Sequence, residues 1–352
     1  MARSLLARRP GRPASRRLRD PSIRQLHVIP YYDPATEFGG VQTVCRQLVK
    51  GMVRRGHQVT LLTTDVASRS RRLAQLRAQM DGVEIVRVRN LSQRLVKYNL
   101  FAPLSLSRTL GELLRRCDFV HVHDVFNWLT FRTLERAERL GVPSVLSTDG
   151  LLSFDRRRGR ARIRELLFRI LGPAAIRRCQ VVHAVRESEL DCAALGIPKD
   201  KMRYIPNSAP YPPPTGDPHR FRERYRLDER TIILFVGQLL PMKGTDLVLE
   251  LAQTLQQRRN LCFVFVGHPY AYTDEPLPVW RASNILFTGF LSETDLADAY
   301  AAASIYTLPS HYDVMPTTVL NALAHGIPCA VSRQCQIPEI AESGAGVLIE
   351  PT

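Results

Sequence analysis

The sequence contains no apolar run that approaches the roughly 18 residues of a membrane-spanning helix, so it holds no candidate for such a segment. Its seven cysteines are scattered and odd in number, and no two of them form a Cys-x-x-Cys pair. That spacing favours buried thiols in a reduced compartment over a disulfide framework or a zinc site.

Several motifs that bind nucleotides or metals are also missing. There is no P-loop, no Gly-x-Gly-x-x-Gly after the first predicted strand and no Asp-x-Asp, and the last absence argues against a divalent metal ion that holds a diphosphate. His121 and His123, followed by Asp124, resemble metal ligands because alternate residues of a strand share a face. Since a third ligand is not evident, we predict hydrogen-bonded histidines at a strand end and no metal site.

Positive charge is concentrated in the first part of the chain. The formal net charge is +16, yet residues 1–207 hold 39 Lys and Arg against 18 Asp and Glu, and residues 208–352 hold 10 against 15. This asymmetry implies a surface that meets polyanions, either nucleic acid or anionic lipid. Aromatic residues make up 7% of the chain and no recognised nucleic-acid motif is present, so we expect no nucleic-acid partner.

Residues 1–24 form a basic N-terminal arm. The first 21 positions hold seven arginines and one acidic residue, Asp20, and the apolar stretch LLA is too short for a secretory signal. An organelle transit peptide, a disordered arm and a start codon chosen too early all fit this composition. We predict a disordered arm, since a segment with so few apolar residues cannot form a core.

From Gln25 onward, short apolar runs alternate with segments at helical spacing. LHVIPYY precedes VQTVCRQLVKGMVRRGH, and TIILFVGQ precedes a predicted helix at 245–258. Such alternation is typical of a parallel sheet covered on both faces. The proline-rich stretch IPNSAPYPPPTGDP interrupts it and predicts an extended linker. We therefore predict an α/β protein with two doubly wound Rossmann-like domains, residues 25–207 and 231–352, joined by a linker at 208–230 and facing each other across a cleft.

The stretch DVMPTTVLNALAHGIP predicts a helix that begins with polar groups. A helix N-terminus presents backbone N–H groups and the positive end of the dipole, which suits phosphate, and Pro316 is compatible with the first turn. Thr317 and Thr318 add hydroxyl donors, while Asp313 and Asn321 could hydrogen-bond sugar hydroxyls. A helix cap at Asp313 and a solvated Asn321 are the structural alternative.

Two other loops carry candidate ligand-binding residues. FVGQLLPMKG ends a predicted strand with a loop in which Lys243 can reach a phosphate at the cleft. Gly39 and Gly40 lie between a strand and a helix, where their backbone amides can approach a ligand closely. Taken alone, each signal is also what an ordinary turn would give.

Together and in this order, these segments resemble the family 4 retaining glycosyltransferases of the GT-B fold. The resemblance covers residues 25–352 and is carried by GGVQTVCRQLVKGMVRRGHQVTLLT, DFVHVHD, VPSVLSTDG, YIPNSAP, ILFVGQLLPMKGTDLVLELA, LFTGFLSETDLADAYAAASIYTLPS and DVMPTTVLNALAHGIPCAVS…IPEIAESGAGVLIEP. It implies an enzyme that takes a sugar from a nucleotide-diphosphate sugar, bound mainly by the second domain, and transfers it to an acceptor held against the first. It implies neither a cofactor nor a metal ion.

The resemblance also implies roles at the donor site. Lys243 would bind the donor diphosphate, and Gly40, next to Gly39, would present its amide near the phosphate or the transferred sugar. The backbone around Met315, Pro316 and Thr317 would lie beside the sugar and the diphosphate. Fixed cations and dipoles would then stabilise the charge that develops on the leaving diphosphate.

At this site the sequence departs from the family pattern. The usual pair of glutamates is Asp313 and Asn321, and an asparagine can accept hydrogen bonds from ribose only without charge assistance. Gln238 stands where the family has arginine, which removes one of two cations for the diphosphate. Asp149 stands where many members have histidine, and we expect it near the acceptor hydroxyl. Asp149 and Lys243 are thus the predicted catalytic residues.

The acceptor side carries a basic amphipathic segment. RRRGRARIRELLFRILG places apolar residues at helical spacing beside a run of arginines. A core-facing helix with a solvated basic start fits this pattern, and so does contact with an anionic membrane surface. Since similar enzymes often act on lipid-linked acceptors, we expect a cytoplasmic protein that binds peripherally at the cytoplasmic face of the membrane.

These features leave four functional hypotheses. The leading one is a retaining glycosyltransferase that acts on a glycan or lipid-linked acceptor in cell-surface polysaccharide or glycolipid synthesis. The others are a catalytically degenerate, membrane-associated partner of the same fold, a nucleotide-sugar epimerase and a nucleic-acid binder. Family members usually continue past GVLIEP with helices that pack back across the first domain, so we also expect these C-terminal return helices to be missing, as in a fragment.

Overall fold

The computed structural model describes the chain from residue 22 onward, with gaps. The described residues are 22–35, 38–96, 101–104, 106–125, 127–149, 170, 172–174, 176–186, 198–209, 213–267 and 282–352. The arm, apart from residues 22–24, and the arginine-rich segment 156–169 lie outside them. Both expectations therefore stay predictions.

The first of two sheets has eight strands. They are β1 (Arg24–Val28), β2 (Gln58–Thr64), β3 (Arg77–Met80), β4 (Val83–Val88), β5 (Phe119–His123), β6 (Ser144–Ser147), β7 (Val181–Ala184) and β8 (Met202–Tyr204). Their order is β3-β4-β2-β1-β5-β6-β7-β8, and all neighbours are parallel except β3 and β4. The strand order reverses at β1, and doubly wound sheets bind ligands beyond the carboxyl ends of the strands at such a reversal.

The second sheet has six strands, all parallel. They are β9 (Thr231–Val236), β10 (Leu261–Val266), β11 (Ile285–Gly289), β12 (Ile305–Leu308), β13 (Cys329–Ser332) and β14 (Gly346–Ile349). Their order is β11-β10-β9-β12-β13-β14, so this sheet reverses at β9. The predicted α/β architecture with two doubly wound sheets is confirmed.

Helices connect the strands of both sheets. The helices whose bounds lie within the described residues are α1 (Gly40–Arg54), α2 (Gln93–Val96), α3 (Leu106–Leu114), α4 (Trp128–Leu140), α5 (Pro218–Tyr225), α6 (Thr245–Thr254), α7 (Glu293–Ala302), α8 (Thr317–Ala324) and α9 (Glu339–Glu342). The interval predicted as an extended linker, 208–230, contains α5. Asp217 caps this helix by accepting from the N–H groups of His219 and Arg220 at 2.9 and 3.2 Å, and proline occupies the first turn.

Each sheet has its own hydrophobic core. In the first, Leu26 and Val28 of β1 and Val122 of β5 pack with residues of α3 and α4. In the second, Phe235, Phe263 and Tyr306 are fully buried among residues of α6, α7 and α8, which are part of the same cluster. Burial of apolar side chains on both faces explains why the central strands read as continuous apolar runs.

The described cysteines agree with the prediction of buried thiols. They are all free: Cys117 is half-buried, and Cys45, Cys179, Cys262, Cys329 and Cys335 are buried. Burial raises the pKa of the Cys179 thiol to about 12, so it stays protonated at neutral pH. Within the described residues, we find no helix whose length and hydropathy would allow it to span a membrane.

Two ion pairs join the parts of the chain that carry the two sheets. Arg186, just after β7, donates to both carboxylate oxygens of Glu339 on α9, at 2.9 and 3.2 Å. Arg46 on α1 pairs with Glu293 at the start of α7. The two halves are thus connected by charged side chains at two separate points.

Candidate active site

Lys243 lies in a tight turn that follows β9. The chain forms a short 3-10 turn at Pro241–Lys243, and Gly244 then takes a left-handed conformation with φ +71°. A Cβ on Gly244 would lie 2.1 Å from the carbonyl oxygen of Pro309. The turn is therefore pressed against the loop that follows β12, and only glycine leaves room for that approach.

In this position Lys243 meets Asp313. Lys243 Nζ donates to Asp313 Oδ2, and the two side chains are 20% and 15% exposed. The other carboxylate oxygen of Asp313 accepts from the backbone N–H of Val314 at 3.1 Å. Partial burial strengthens such a pair relative to one on the open surface. An anionic ligand at Lys243 would therefore compete with the Asp313 carboxylate.

The loop between Asp313 and α8 is held from two sides. Met315 is buried and takes a positive φ of 44°, a conformation that costs a residue other than glycine on the order of 1 kcal/mol. Its N–H donates to the carbonyl of Cys335 at 3.0 Å, and its carbonyl accepts from Asn207 Nδ2 at 3.3 Å. Because Asn207 follows β8, the loop is tied to the half of the chain that carries the first sheet.

Helix α8 begins without a side-chain cap. Pro316 is the residue before the helix, and in the part of the chain that the structure describes no side-chain hydrogen bond caps this end. The helix cap that was the alternative role for Asp313 is therefore not formed. Asn321 is half-buried and donates from Nδ2 to the carbonyl of Thr317 at 2.9 Å. Its side chain is thus held against its own helix rather than extended into solvent.

Thr317 and Thr318 face different surroundings. Thr318 Oγ1 and the hydroxyl of Tyr306 form a hydrogen bond of 2.8 Å, and the hydroxyl of Tyr300 donates to the carbonyl of Thr318 at 3.0 Å. Since both tyrosines are buried, Thr318 anchors the helix start to the core of the second sheet. Thr317 lies on the side that faces the first sheet's glycine loop.

The glycine loop at the start of α1 comes within contact distance of the second sheet's loops. A Cβ on Gly40 would lie 3.9 Å from Thr317 Oγ1, and a Cβ on Gly39 would lie 3.9 Å from Gln238 Nε2. Gly39 has φ +111°, which other residues rarely adopt. The structure therefore brings together the predicted residues Gly39, Gly40, Gln238 and Thr317 from both halves of the chain.

Asp149 lies at the end of β6, on the first sheet. It has φ +50°, and its Oδ2 accepts from the backbone N–H of Asp124 at 3.3 Å. Asp124 directly follows the neighbouring strand β5, is buried and has φ +71°. Burial first, and the nearby carboxylates of Asp149 and Asp33 second, raise the pKa of Cys45 on α1. Asp149 is thus close to the helix that the glycine loop begins.

The structure places a third histidine, His27, beside His121 and His123. His27 of β1 is in register with His121 of β5, and one nitrogen from each of these three imidazoles lies within 4.8 Å of the others. Among the described residues, this is the one group of three side chains that could hold a metal ion. The position of His27 within LHVIPYY gives no local signal, because its partners are brought together only by strand pairing.

The folding pattern defines an α/β protein with two Rossmann-like sheets, and the loops described above bring residues of both halves together. The model for Glycosyltransferase Family 4 matches residues 38–209, and that for Glycosyl transferases group 1 matches residues 218–352. The chain belongs to glycosyltransferase family 4 and has the GT-B fold. It is a retaining glycosyltransferase that uses a nucleotide sugar.

Known relatives and structures are similar to this chain over different lengths. An uncharacterized glycosyltransferase, MJ1607 from Methanocaldococcus jannaschii, is 26% identical over 335 residues, which is 90% of this chain and 82% of that protein. An alpha-galactosylglucosyldiacylglycerol synthase from Streptococcus pneumoniae is 29% identical over 155 residues, 39% of each chain. The structure of a sucrose-phosphate synthase from Thermosynechococcus elongatus superposes with a TM-score of 0.68 at 17% identity, covering 94% of this chain and 86% of that one.

Proposed function

We propose that the nucleotide-diphosphate sugar binds where Lys243, the start of α8 and the Gly39–Gly40 loop converge. The observation that carries this proposal is the proximity of Gly40 to Thr317 across the two halves of the chain, where a Cβ on Gly40 would lie 3.9 Å from Thr317 Oγ1. A ligand beside this contact would meet the helix amides and the glycine amides, with the Lys243 ammonium on the adjoining turn. These are groups that bind phosphate well.

In the proposed reaction, the acceptor hydroxyl attacks the anomeric carbon on the face that the diphosphate leaves. The bond between that carbon and the diphosphate oxygen breaks, the bond to the acceptor oxygen forms, and a phosphate oxygen takes the acceptor proton. Lys243 and the α8 amides stabilise the leaving diphosphate. Asp149, held by the N–H of Asp124, orients the acceptor hydroxyl.

The proposed acceptor is a glycan or a lipid-linked glycan, in cell-surface polysaccharide or glycolipid synthesis. Two observations support it: the basic charge of residues 1–207, and the name of the pneumococcal relative, which specifies a diacylglycerol product. A basic face attracts anionic lipid by about 1 kcal/mol for each Lys or Arg near the surface. The protein would then act in the cytoplasm, at the cytoplasmic face of a membrane.

A second candidate is a catalytically degenerate partner protein of the same fold. It is favoured by Gln238, Asp313 and Asn321, which differ from the residues usual in the family. It is also favoured by the ion pair that Lys243 forms with the Asp313 carboxylate. Such a protein would keep the basic face but would neither bind a nucleotide sugar nor hydrolyse one.

A panel of UDP, GDP, ADP and their common sugar conjugates tests the first proposal by thermal shift. We expect one nucleotide to raise the melting temperature by several degrees, because a ligand that binds only the folded state stabilises it by about 2.7 kcal/mol at a hundredfold excess over Kd. Lys243→Ala should abolish this shift. Lys199→Ala, an exposed lysine in the other half of the chain, is the matched control.

Slow hydrolysis of the bound sugar nucleotide without an acceptor would then show turnover. A folded protein that responds to no nucleotide in the panel would refute the proposed donor site. That result would favour the degenerate partner.

A further inference from the structure

The face of the first sheet that carries His27 also carries a row of polar side chains. His27 of β1 is opposite His121 of β5, His123 is opposite Ser147 of β6, and Ser147 is opposite His183 of β7. Paired residues in parallel strands, and alternate residues along one strand, share a face of the sheet. His27, His121 and His123 therefore lie together on two adjacent strands, and His123 directly precedes Asp124.

The hydrogen bonds of His27 and His123 determine which nitrogens carry protons. His27 Nε2 is 3.2 Å from Gln25 Oε1, an acceptor, so His27 is protonated at Nε2. His27 Nδ1 then accepts from His123 Nε2, 3.1 Å away. This leaves Nδ1 of His123 as an unprotonated lone pair, and that atom is buried without a hydrogen-bond partner among the described residues.

The hydrogen bonds of His121 give a similar result. His183 Nε2 donates to the carbonyl of Ile205 at 2.8 Å, so His183 Nδ1 accepts from Ser147 Oγ, also at 2.8 Å. Ser147 Oγ then accepts from His121 Nε2 at 2.7 Å, which leaves Nδ1 of His121 with a lone pair. Lone pairs of neutral imidazoles are what a transition metal ion binds.

Burial keeps these imidazoles neutral. His27 is 0% exposed, His121 9% and His123 1%. Desolvation lowers the pKa of His27 to about 4 and lowers those of the other two well below the usual value. All three are therefore competent ligands at neutral pH without losing a proton to solvent.

An unsatisfied buried nitrogen is costly in a protein interior, and a bound ion at this position would satisfy it. We propose that His27, His121 and His123 form a binding site for a divalent transition metal ion of the Zn²⁺ class. Zinc binds histidine nitrogen at about 2.0–2.1 Å, and one nitrogen of each of the three rings already lies within 4.8 Å of the others, so the rings must turn and close to bring their lone pairs onto an ion. Binding replaces the hydrogen bond between His27 and His123.

The proposed ion is separate from the donor site, where Lys243 and helix amides face the diphosphate. One of its ligands, His123, directly precedes Asp124, whose N–H donates to Asp149. Gln25 and Ser147 hydrogen-bond to two of the three imidazoles, which is how ligating histidines are usually oriented. The ion would therefore hold the ends of β1 and β5 in place, and with them the loop that carries Asp124 and its hydrogen bond to Asp149.

Metal analysis of the full-length protein, prepared without a histidine tag, tests this site. We expect close to one equivalent of zinc per chain after supplementation and dialysis. After chelation, titration with Co²⁺ should give the intense visible absorption of a tetrahedral histidine complex, displaced by Zn²⁺. His123→Gln should remove both signals, whereas His219→Gln, an exposed histidine on α5, should leave them unchanged.

A folded wild-type protein that retains no zinc and shows no Co²⁺ absorption would overturn the proposal. So would Co²⁺ absorption that survives in folded His123→Gln and His27→Gln, because the ion would then be held elsewhere. If the glutamine variants do not fold, wild-type protein with and without Zn²⁺ decides the question. Its melting temperature should rise with Zn²⁺ and fall back on chelation, and an unchanged value contradicts the site.

Discussion

At the scale of single residues, Asp313 has two opposing effects on an anionic ligand. Its carboxylate pairs with Lys243 and so holds that side chain in the loop. The same negative charge repels a diphosphate that approaches the ammonium. A ligand that displaces Asp313 from Lys243 would leave the carboxylate available for sugar hydroxyls, a role that fits the proposed donor site.

Replacing Asp313 by asparagine separates these effects. We expect Asp313→Asn to bind the cognate nucleoside diphosphate about fivefold more tightly, on the order of 1 kcal/mol, because the competing charge is gone. Transfer from the sugar nucleotide should become slower, since a neutral amide holds sugar hydroxyls more weakly. Titration calorimetry with UDP and GDP, together with initial rates, measures both quantities.

Asp228→Asn is the matched control, because Asp228 is in an exposed turn and its positive φ suits asparagine equally well. It should change neither the affinity nor the rate. Weaker binding of nucleoside diphosphate to Asp313→Asn would mean that the carboxylate supports the site rather than masks it.

At the scale of elements, two glycines with nearly equal positive φ angles allow the turn before α6 to be tested. Gly244 has φ +71° and Gly326 has φ +72°. A Cβ on Gly244 would lie 2.1 Å from Pro309 O, whereas one on Gly326 would meet nothing within 4 Å. Alanine at either position pays the same left-handed strain, about 1–2 kcal/mol, and only Gly244→Ala also forces two loops apart.

We therefore expect Gly244→Ala to lower the free energy of unfolding by at least about 2 kcal/mol more than Gly326→Ala does. It should also weaken nucleotide binding, because the displaced turn carries Lys243. Urea unfolding followed by circular dichroism and the thermal-shift panel measure the two effects. Equal destabilisation by the two variants would show that the contact with Pro309 does not constrain the turn.

Local patterns were sufficient to predict most of these elements. TIILFVGQ contains β9, and the helix predicted from the polar start of DVMPTTVLNALAHGIP is α8, Thr317–Ala324. Strand β3 was not predicted, since its sequence RAQM lacks apolar alternation and it forms by antiparallel pairing with β4. Prolines favoured an extended linker at 208–230, but Pro218 lies in the first turn of α5 after the Asp217 cap.

The candidate site was predictable only in part, because its contacts join distant residues. The Gly39–Gly40 pair, Lys243 and the start of α8 can each be recognised as candidate ligand-binding positions from the neighbouring sequence. The pairing of Lys243 with Asp313 spans 70 positions, and the contact of His27 with His123 spans 96. Such pairs depend on which strands become neighbours, and neither hydrophobic spacing nor turn chemistry determines strand order.

At the scale of the whole molecule, the proposed donor site takes groups from both halves of the chain, so the ion pairs that join the halves bear on cleft closure. The Arg186 side chain is 13% exposed and that of Glu339 is 58% exposed. The hydrogen bonds and charge of Arg186 lower the pKa of Glu339. This pair is therefore intact at neutral pH and is lost as the pH falls through that lowered pKa, or as salt screens it.

Glu339→Gln should shift the molecule toward an open cleft. Because Glu339 is well exposed, the pair contributes about 0.5 kcal/mol, which corresponds to a two- to threefold change in the ratio of closed to open molecules. We expect a larger radius of gyration in small-angle X-ray scattering at low salt, and a KM for the sugar nucleotide raised by a similar factor. Glu342→Gln, on the same short helix, is the control. Identical scattering and KM for wild type and Glu339→Gln would mean that closure depends on other contacts, with the Arg46–Glu293 pair the next to remove.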